Sequence, residues 1–128
     1  MITPNRKEAF GACGNINPKA STEEVARKLI DKIKCQAVLM TLGEEGMLLA
    51  QKSGTMTQIP TAAKEVYDVS GAGDTVIAAF ALAMSAGATL PEAAFISNLA
   101  AGVVVGKLGT ATVNRTELQA SFSGLKTV

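Results

Sequence analysis

Between Glu65 and Ala86 the sequence changes character twice, and no other stretch limits the fold as tightly. Glu65-Val66-Tyr67-Asp68-Val69 is rich in β-branched and aromatic side chains and reads as a short strand. Gly71-Ala72-Gly73 interrupts it and reads as a tight turn. From Asp74 to about Ala86 the chain is apolar and rich in alanine, which predicts a helix. A strand that passes through a glycine turn directly into a helix is the building step of α/β folds. The junction also has a chemical consequence. Its backbone N–H groups point outward at the positive end of the helix dipole, an arrangement suited to phosphate. Asp74 sits beside them in the first helical turn, where a carboxylate can take the proton of an attacking alcohol. The backbone donors can stabilise a phosphoryl group in transfer. On these residues alone a plainer reading stands beside this one: Asp74 as a helix-capping acid, the glycines as turn formers.

The rest of the chain alternates in the same way. Thr3 reads as an N-cap with Pro4 at the first helical position, opening a short helix to about Gly11. Ser21 and Glu24 have capping-box spacing ahead of Val25, Ala26, Leu29, Ile30 and Ile33, which predicts an amphipathic helix over Thr22 to Lys34. Gln36 to Leu42, Met47 to Gln51 and Thr55 to Ile59 read as strands, with turns at Gly43, Gly46, Ser53 and Gly54. Thr89 and Glu92 open a helix from about Leu90 to Val105, and Asn114 and Glu117 a last one near Arg115 to Ser121. This is an α/β order, and 128 residues suit one domain without internal repeat or linker. With no strand expected ahead of the first helix, the sheet should be small, with one edge open.

Composition removes several chemistries. There is no histidine, so serine and cysteine triads, imidazole bases and His-containing zinc sites are excluded. Twelve basic residues against eleven acidic ones give a net charge of +1, which supplies no polybasic surface for nucleic acid or anionic lipid. Cys13 and Cys35 form no C-x-x-C and are expected to stay reduced. The N-terminus lacks a signal-peptide pattern, and no apolar run is long enough to cross a bilayer, so a cytoplasmic protein is expected.

Four further groups can carry chemistry. Asn5 and Glu8 lie three apart on one helical face, where an amide and a carboxylate can hold Mg²⁺ through its waters; a solvated helix surface is the alternative. Thr41-Leu42-Gly43-Glu44-Glu45-Gly46 ends a strand, the place where ligands gather in open α/β sheets, or is a hairpin turn. Asn98-Leu99-Ala100-Ala101-Gly102 offers small residues for a flat ligand or for close packing, and packing is favoured for the alanines. Lys107-Leu108-Gly109-Thr110-Ala111-Thr112 can wrap an ion with carbonyls or simply connect two helices.

Taken in order, these motifs resemble the ribokinase-like (PfkB) carbohydrate kinases. Asn5-Arg6-Lys7-Glu8 is similar to the family's N-x-x-E motif and Thr41 to Gly46 to its T-x-G-x-x-G strand end. Asp68 to Asp74 is similar to its D-T-x-G-A-G-D signature, with Val69 in place of the usual threonine. Within the family, the stretches Ile59 to Phe80 and Asn98 to Val113 most resemble the heptose 7-phosphate kinases of lipopolysaccharide precursor synthesis. The resemblance runs from Ile2 to about Phe122 and implies a Rossmann-like ribokinase-type fold, of which this chain is the C-terminal, nucleotide-binding portion. It implies Asp74 as catalytic base and the Gly71, Ala72 and Gly73 backbone as anion hole. Thr41, Gly43 and Gly46 would line the phosphate and ribose side, with Asn98, Ala101 and Gly102 near adenine. Asn5 and Glu8 would organise Mg²⁺ and the phosphates of ATP. Asp68, with the backbones of Ser70, Val104, Lys107 and Gly109, would surround a monovalent cation such as K⁺.

The family's sugar-reading segment, glycine-pair motif and β-lid have no counterpart in these residues, so sugar specificity is not legible in them. Small-molecule partners, ATP and a sugar phosphate, are implied, with neither nucleic acid nor membrane. Three rivals remain. One is another sugar or nucleoside kinase of the family. Another is a non-catalytic remnant that acts as a structural module and self-associates through an open sheet edge. The third is a general anion-binding module that takes phosphate or sulfate at the Gly71 to Asp74 turn without preferring adenine nucleotides.

Overall fold

The computed structural model describes residues 1–63, 71–107 and 111–123, which fall into two compact units, Met1–Pro60 and Thr61–Val128. The first unit contains α1 (Arg6–Cys13), α2 (Thr22–Ile33), β1 (Ala37–Thr41), a 3-10 turn (Gly43–Glu45), β2 (Met47–Gln51) and β3 (Met56–Ile59). The second contains α3 (Ala72–Ser85), α4 (Leu90–Val105) and α5 (Arg115–Ser123).

The three strands form an antiparallel sheet in the order β1-β2-β3, with Leu39 opposite Leu49 and Thr41 opposite Met47. The expected helix start at Thr3-Pro4 is not what forms. Residues 2 to 5 are extended and run parallel to β1, bridging Ile2 to Val38 and Asn5 to Thr41. The Leu39 N–H donates to the Ile2 carbonyl at 3.0 Å and the Thr41 N–H to the Pro4 carbonyl at 3.0 Å. A residue before proline is biased to extended backbone. Proline, having no N–H to lose, serves well as an acceptor on such a segment. The helix cap moves to Asn5, which is extended (φ −79°, ψ 176°). Thus a short extended segment does precede the first helix, and the sheet gains a parallel neighbour on its β1 side.

The helices of this unit cover one sheet face. Ala9, Val25, Ala26, Leu29, Ile30, Val38, Met40, Leu42, Leu48 and Ala50 form a single buried cluster, with Ile2 and Phe10 packed at its margin. The 3-4 spacing of the apolar residues in α2 buries Val25, Ala26, Leu29 and Ile30 on one stripe, whereas Ile33, expected on it as well, is exposed in the last turn. Burying a leucine such as Leu29 stabilises by roughly 1.5–3 kcal/mol relative to exposure. Cys13 and Cys35 are free thiols; they donate to the carbonyls of Val25 and Ala37.

In the second unit α3 packs against α4, and α4 against α5. Val76, Phe80 and Ala83 of α3 are buried, as are Ala93, Ala94, Ser97, Leu99 and Ala100 of α4. Thr89 and Glu92 cap α4 with reciprocal bonds of 3.3 and 3.0 Å, and Pro91 lies in its first turn. Asn114 and Glu117 do the same at α5, at 2.8 and 3.1 Å. No helix among the described residues is long and apolar enough to cross a membrane. The strand expected over Glu65 to Val69 lies outside the described residues.

Candidate functional site

The first unit brings Asn5, Glu8, Thr41, Gly43 and Gly46 to one end of the sheet. Asn5 closes the N-terminal extended segment and Thr41 ends β1; the two are bridge partners. Both lie at the carboxyl ends of parallel neighbours, where α/β sheets place ligands. The Asn5 side chain accepts from the Glu8 N–H at 2.8 Å, and Glu8 Oε2 accepts from the Asn5 N–H at 2.9 Å. The spacing read as a metal-holding pair therefore also forms a complete capping box. After Thr41 the chain turns tightly: the Gly46 N–H donates to the Gly43 carbonyl at 3.1 Å, and the Leu42 N–H to the Gly46 carbonyl at 2.8 Å. The hairpin reading and the strand-end reading thus describe the same residues.

Sequence reasoning missed what joins these two turns. Arg6 Nη2 donates to Glu45 Oε2 at 2.8 Å, and the Gln58 amide donates to the Glu45 carbonyl at 3.0 Å. The available signal was one unlike charge at a variable position of each motif.

The second unit holds Gly71, Ala72, Gly73, Asp74, Asn98, Ala101 and Gly102. Gly71 is left-handed (φ 78°, ψ −2°), a conformation that favours glycine, and it caps α3. The expectation of a three-residue turn is corrected here: Ala72 and Gly73 already belong to the helix. The first helical bond runs from the Thr75 N–H to the Gly71 carbonyl at 3.1 Å. The amides of Ala72, Gly73 and Asp74 precede it and have no helical carbonyl to take. The exposed Asp74 carboxylate lies in the same first turn as these donors.

Asn98, Ala101 and Gly102 share one face of α4 by their spacing of three and four. Asn98 is buried, and Ala101 and Gly102 are half-buried. Gly102 has a packing reason of its own: a Cβ there would stand 3.1 Å from the carbonyl carbon of Ala62. Of the two alanines in this segment, Ala100 is fully buried, as the packing reading expects, whereas Ala101 is only half-buried. Beyond α4, the Lys107 ammonium bonds the Thr112 carbonyl at 2.7 Å and the Glu117 carboxylate. That contact, together with the Asn114 N–H, holds the Glu117 carboxyl below its usual value. Asp68, Ser70 and Gly109, expected around a monovalent cation, lie outside the described residues.

A model of the pfkB family of carbohydrate kinases matches residues 1–117. The chain belongs to this family. Among curated pfkB relatives, the bifunctional protein HldE of Shewanella sp. (strain ANA-3) is 52% identical over 118 residues, covering 92% of this chain and 25% of that protein. The chain thus spans about a quarter of the length of the curated relatives it matches. Among solved structures, ribokinase from Thermotoga maritima superposes with a TM-score of 0.86 at 30% identity, covering 94% of this chain and 41% of that one. Arabidopsis thaliana ribokinase, complexed with ribose and ATP, gives 0.81 at 28% identity, over 94% of this chain and 40% of that one. The fold class is α/β of the ribokinase type, and the chain corresponds to part of it.

Proposed function

We propose that this chain is the nucleotide-binding and catalytic-base part of an ATP-dependent sugar kinase. The reaction is transfer of the γ-phosphoryl of MgATP to the anomeric hydroxyl of D-glycero-D-manno-heptose 7-phosphate. The observation that carries this reading is the start of α3: left-handed Gly71, three amides without helical acceptors, and Asp74 in the same turn. Asp74 accepts the sugar hydroxyl proton as the oxygen attacks phosphorus. The Gly71, Ala72 and Gly73 backbone holds the oxygens of the transferring group and stabilises their growing charge without reorganisation.

Asn5 and Glu8 hold Mg²⁺ through its waters, and Thr41, Gly43 and Gly46 line the phosphates and ribose. Asn98, Ala101 and Gly102 lie along adenine. The donor set fits a water-mediated role. Among the described residues no cluster of three His, Cys, Asp or Glu side chains makes an all-protein cage, and Mg²⁺ in kinases is held by one or two carboxylates plus substrate phosphates. The ion, when bound, offsets phosphate charge. The Asp68 cation site for K⁺ belongs to the same proposal. The heptose acceptor rests on the resemblance of Ile59 to Phe80 and Asn98 to Val113 to heptose 7-phosphate kinases, supported by the identity to HldE. The cytoplasm, where such precursors and ATP are found, is the compartment this reading implies.

Calorimetric titration of the chain with ATP, with and without Mg²⁺ and against GTP and inorganic phosphate, tests the nucleotide site. Saturable binding that prefers ATP is expected; none at millimolar ATP refutes it. For the transfer step, the 118 matched residues of Shewanella HldE are replaced by their equivalents here. The chimera should phosphorylate heptose 7-phosphate, and Asp74→Asn should lower its turnover by about 10²–10⁴-fold with ATP binding kept. An active Asp74→Asn chimera refutes the base, and a folded chimera that binds ATP but does not phosphorylate heptose 7-phosphate refutes the transfer role. A second reading, a self-associating module, is favoured by the exposed Ile77 and Leu82 side chains of α3.

A further inference from the structure

We propose that Arg6 and Glu45 form a positioning tie that sets the Asn5–Glu8 turn against the Thr41–Gly46 turn. The inference rests on the kinase reading for its functional consequence but on geometry for the tie itself. Arg6 is the first residue of α1, directly after Asn5. Glu45 is the last residue of the 3-10 turn, directly before Gly46. The 2.8 Å ion pair therefore spans 39 residues of sequence and joins the two turns at the positions next to their proposed ligand-facing residues. Glu45 is held from a second side, because Gln58 of β3 donates to its carbonyl at 3.0 Å. Beneath the pair, the Thr41 N–H to Pro4 carbonyl bond keeps the two backbones in register. The tie fixes what that bond leaves free, the tilt of the turn beyond Thr41.

Charge gives the pair a second consequence. Glu44 and Glu45 are both exposed in a turn proposed to face a polyanion. The Arg6 guanidinium offsets the nearer charge and draws the Glu45 carboxylate toward α1. Arg6 and Glu45 are positioning residues; neither is assigned contact with the nucleotide. Their side chains are 46% and 66% exposed, so the effect is modest, as for other solvated ion pairs.

The test is a four-variant set: Arg6→Ala, Glu45→Ala, the double substitution, and the exchange Arg6→Glu with Glu45→Arg. Amide hydrogen exchange is read at Glu8 and Gly46, the bonded amides of the two turns. Each single substitution should speed exchange at both amides by about two- to fivefold. The double should be no worse than the worse single, and the charge exchange should return both rates toward wild type. A single substitution that disturbs only its own turn overturns the proposal, as does a double that equals the product of the singles. MgATP affinity is measured on the same set, with parallel losses in the singles and recovery in the exchange expected. A wild-type chain that binds no ATP refutes the kinase reading alone, and the exchange rates still decide the tie.

Discussion

Replacing Asn5 separates the helix cap that its side chain makes from the metal role proposed for it. Asn5→Ala removes the acceptor of the 2.8 Å bond from the Glu8 N–H and leaves only the return bond, from the residue 5 N–H to Glu8 Oε2. Both groups are exposed, so water takes the freed amide and no buried unsatisfied donor results. The expected cost is that of an ordinary N-cap, about 1 kcal/mol. α1 has little packing to absorb the loss, since Ala9 is its only fully buried residue. In a unit of this size 1 kcal/mol corresponds to a fall in Tm of roughly 4–8 °C. Asn5→Ser caps about as well as asparagine, and Glu8→Gln preserves the box, so both should melt near the wild-type temperature. They differ from wild type in what they offer a hydrated cation. Losing such an outer partner typically weakens metal affinity by about 10- to 100-fold, and MgATP binding should fall accordingly while metal-free ATP binding changes little. Thermal melts by circular dichroism and calorimetry on the four proteins supply both readouts. An Asn5→Ser chain as unstable as Asn5→Ala refutes the capping argument. Wild-type MgATP affinity in both Asn5→Ser and Glu8→Gln refutes the metal assignment and leaves capping as the whole role.

Gly102→Val should destabilise by roughly 1–3 kcal/mol in urea titrations, because its side chain meets the Ala62 backbone where even a Cβ would be at 3.1 Å. Gly102→Ala should stay within about 1 kcal/mol of wild type, since helix propensity offsets the contact. Glu117, bonded by Lys107 and then by the Asn114 amide, and Glu92, bonded by the Thr89 amide and then its hydroxyl, both have carboxyls held below the ordinary value of 4.5. Their folded values lie below the unfolded ones, so their support of α5 and α4 is present above about pH 4.5 and is lost as pH falls through the folded values. Carboxyl NMR titrations should give midpoints below 4.5 for both; midpoints at or above it overturn the reasoning. Leu82 is 73% exposed, so Leu82→Glu should change stability by no more than about 0.5 kcal/mol and should reduce any self-association seen on a sizing column. A large stability loss would show that this side chain is packed in solution.

Most elements were legible because each is set by residues within one turn or one strand. The bounds of α4 follow from the Thr89–Glu92 cap at one end and Gly106 at the other. The strands β1 and β2 follow from compact apolar runs bounded by glycine. At the start of the chain two local rules compete. Thr-Pro satisfies a helix-start pattern, but the pairing of residues 2 to 5 with β1 is a tertiary fact that a four-residue window does not contain. At the start of α3 the sequence pattern lags the helix by two residues, because glycine at helix position two looks like a turn, whereas only Gly71 adopts the left-handed backbone. The Arg6–Glu45 pair was invisible for the same reason as the bridge: nothing local connects residues 39 apart.

The candidate site shows how far spacing alone carries a functional argument. An N-capping residue followed three positions later by glutamate occurs at Asn5–Glu8, Ser21–Glu24, Thr89–Glu92 and Asn114–Glu117. In all four the first side chain accepts from the backbone of the glutamate, so the spacing is demanded by the helix start whether or not a ligand is near. What sets Asn5 apart is its place in the sheet. Its backbone bridges Thr41 at the end of β1, so its cap opens beside two parallel strand ends and the turn that follows them. Ser21, Thr89 and Asn114 are not strand-bridge partners among the described residues. The metal assignment at Asn5–Glu8 therefore draws its weight from the bridge to Thr41 rather than from the N-x-x-E spacing. Moving the Asn5–Glu8 pair without disturbing the cap should cost ligand affinity, whereas the same substitutions at Thr89–Glu92 should cost none.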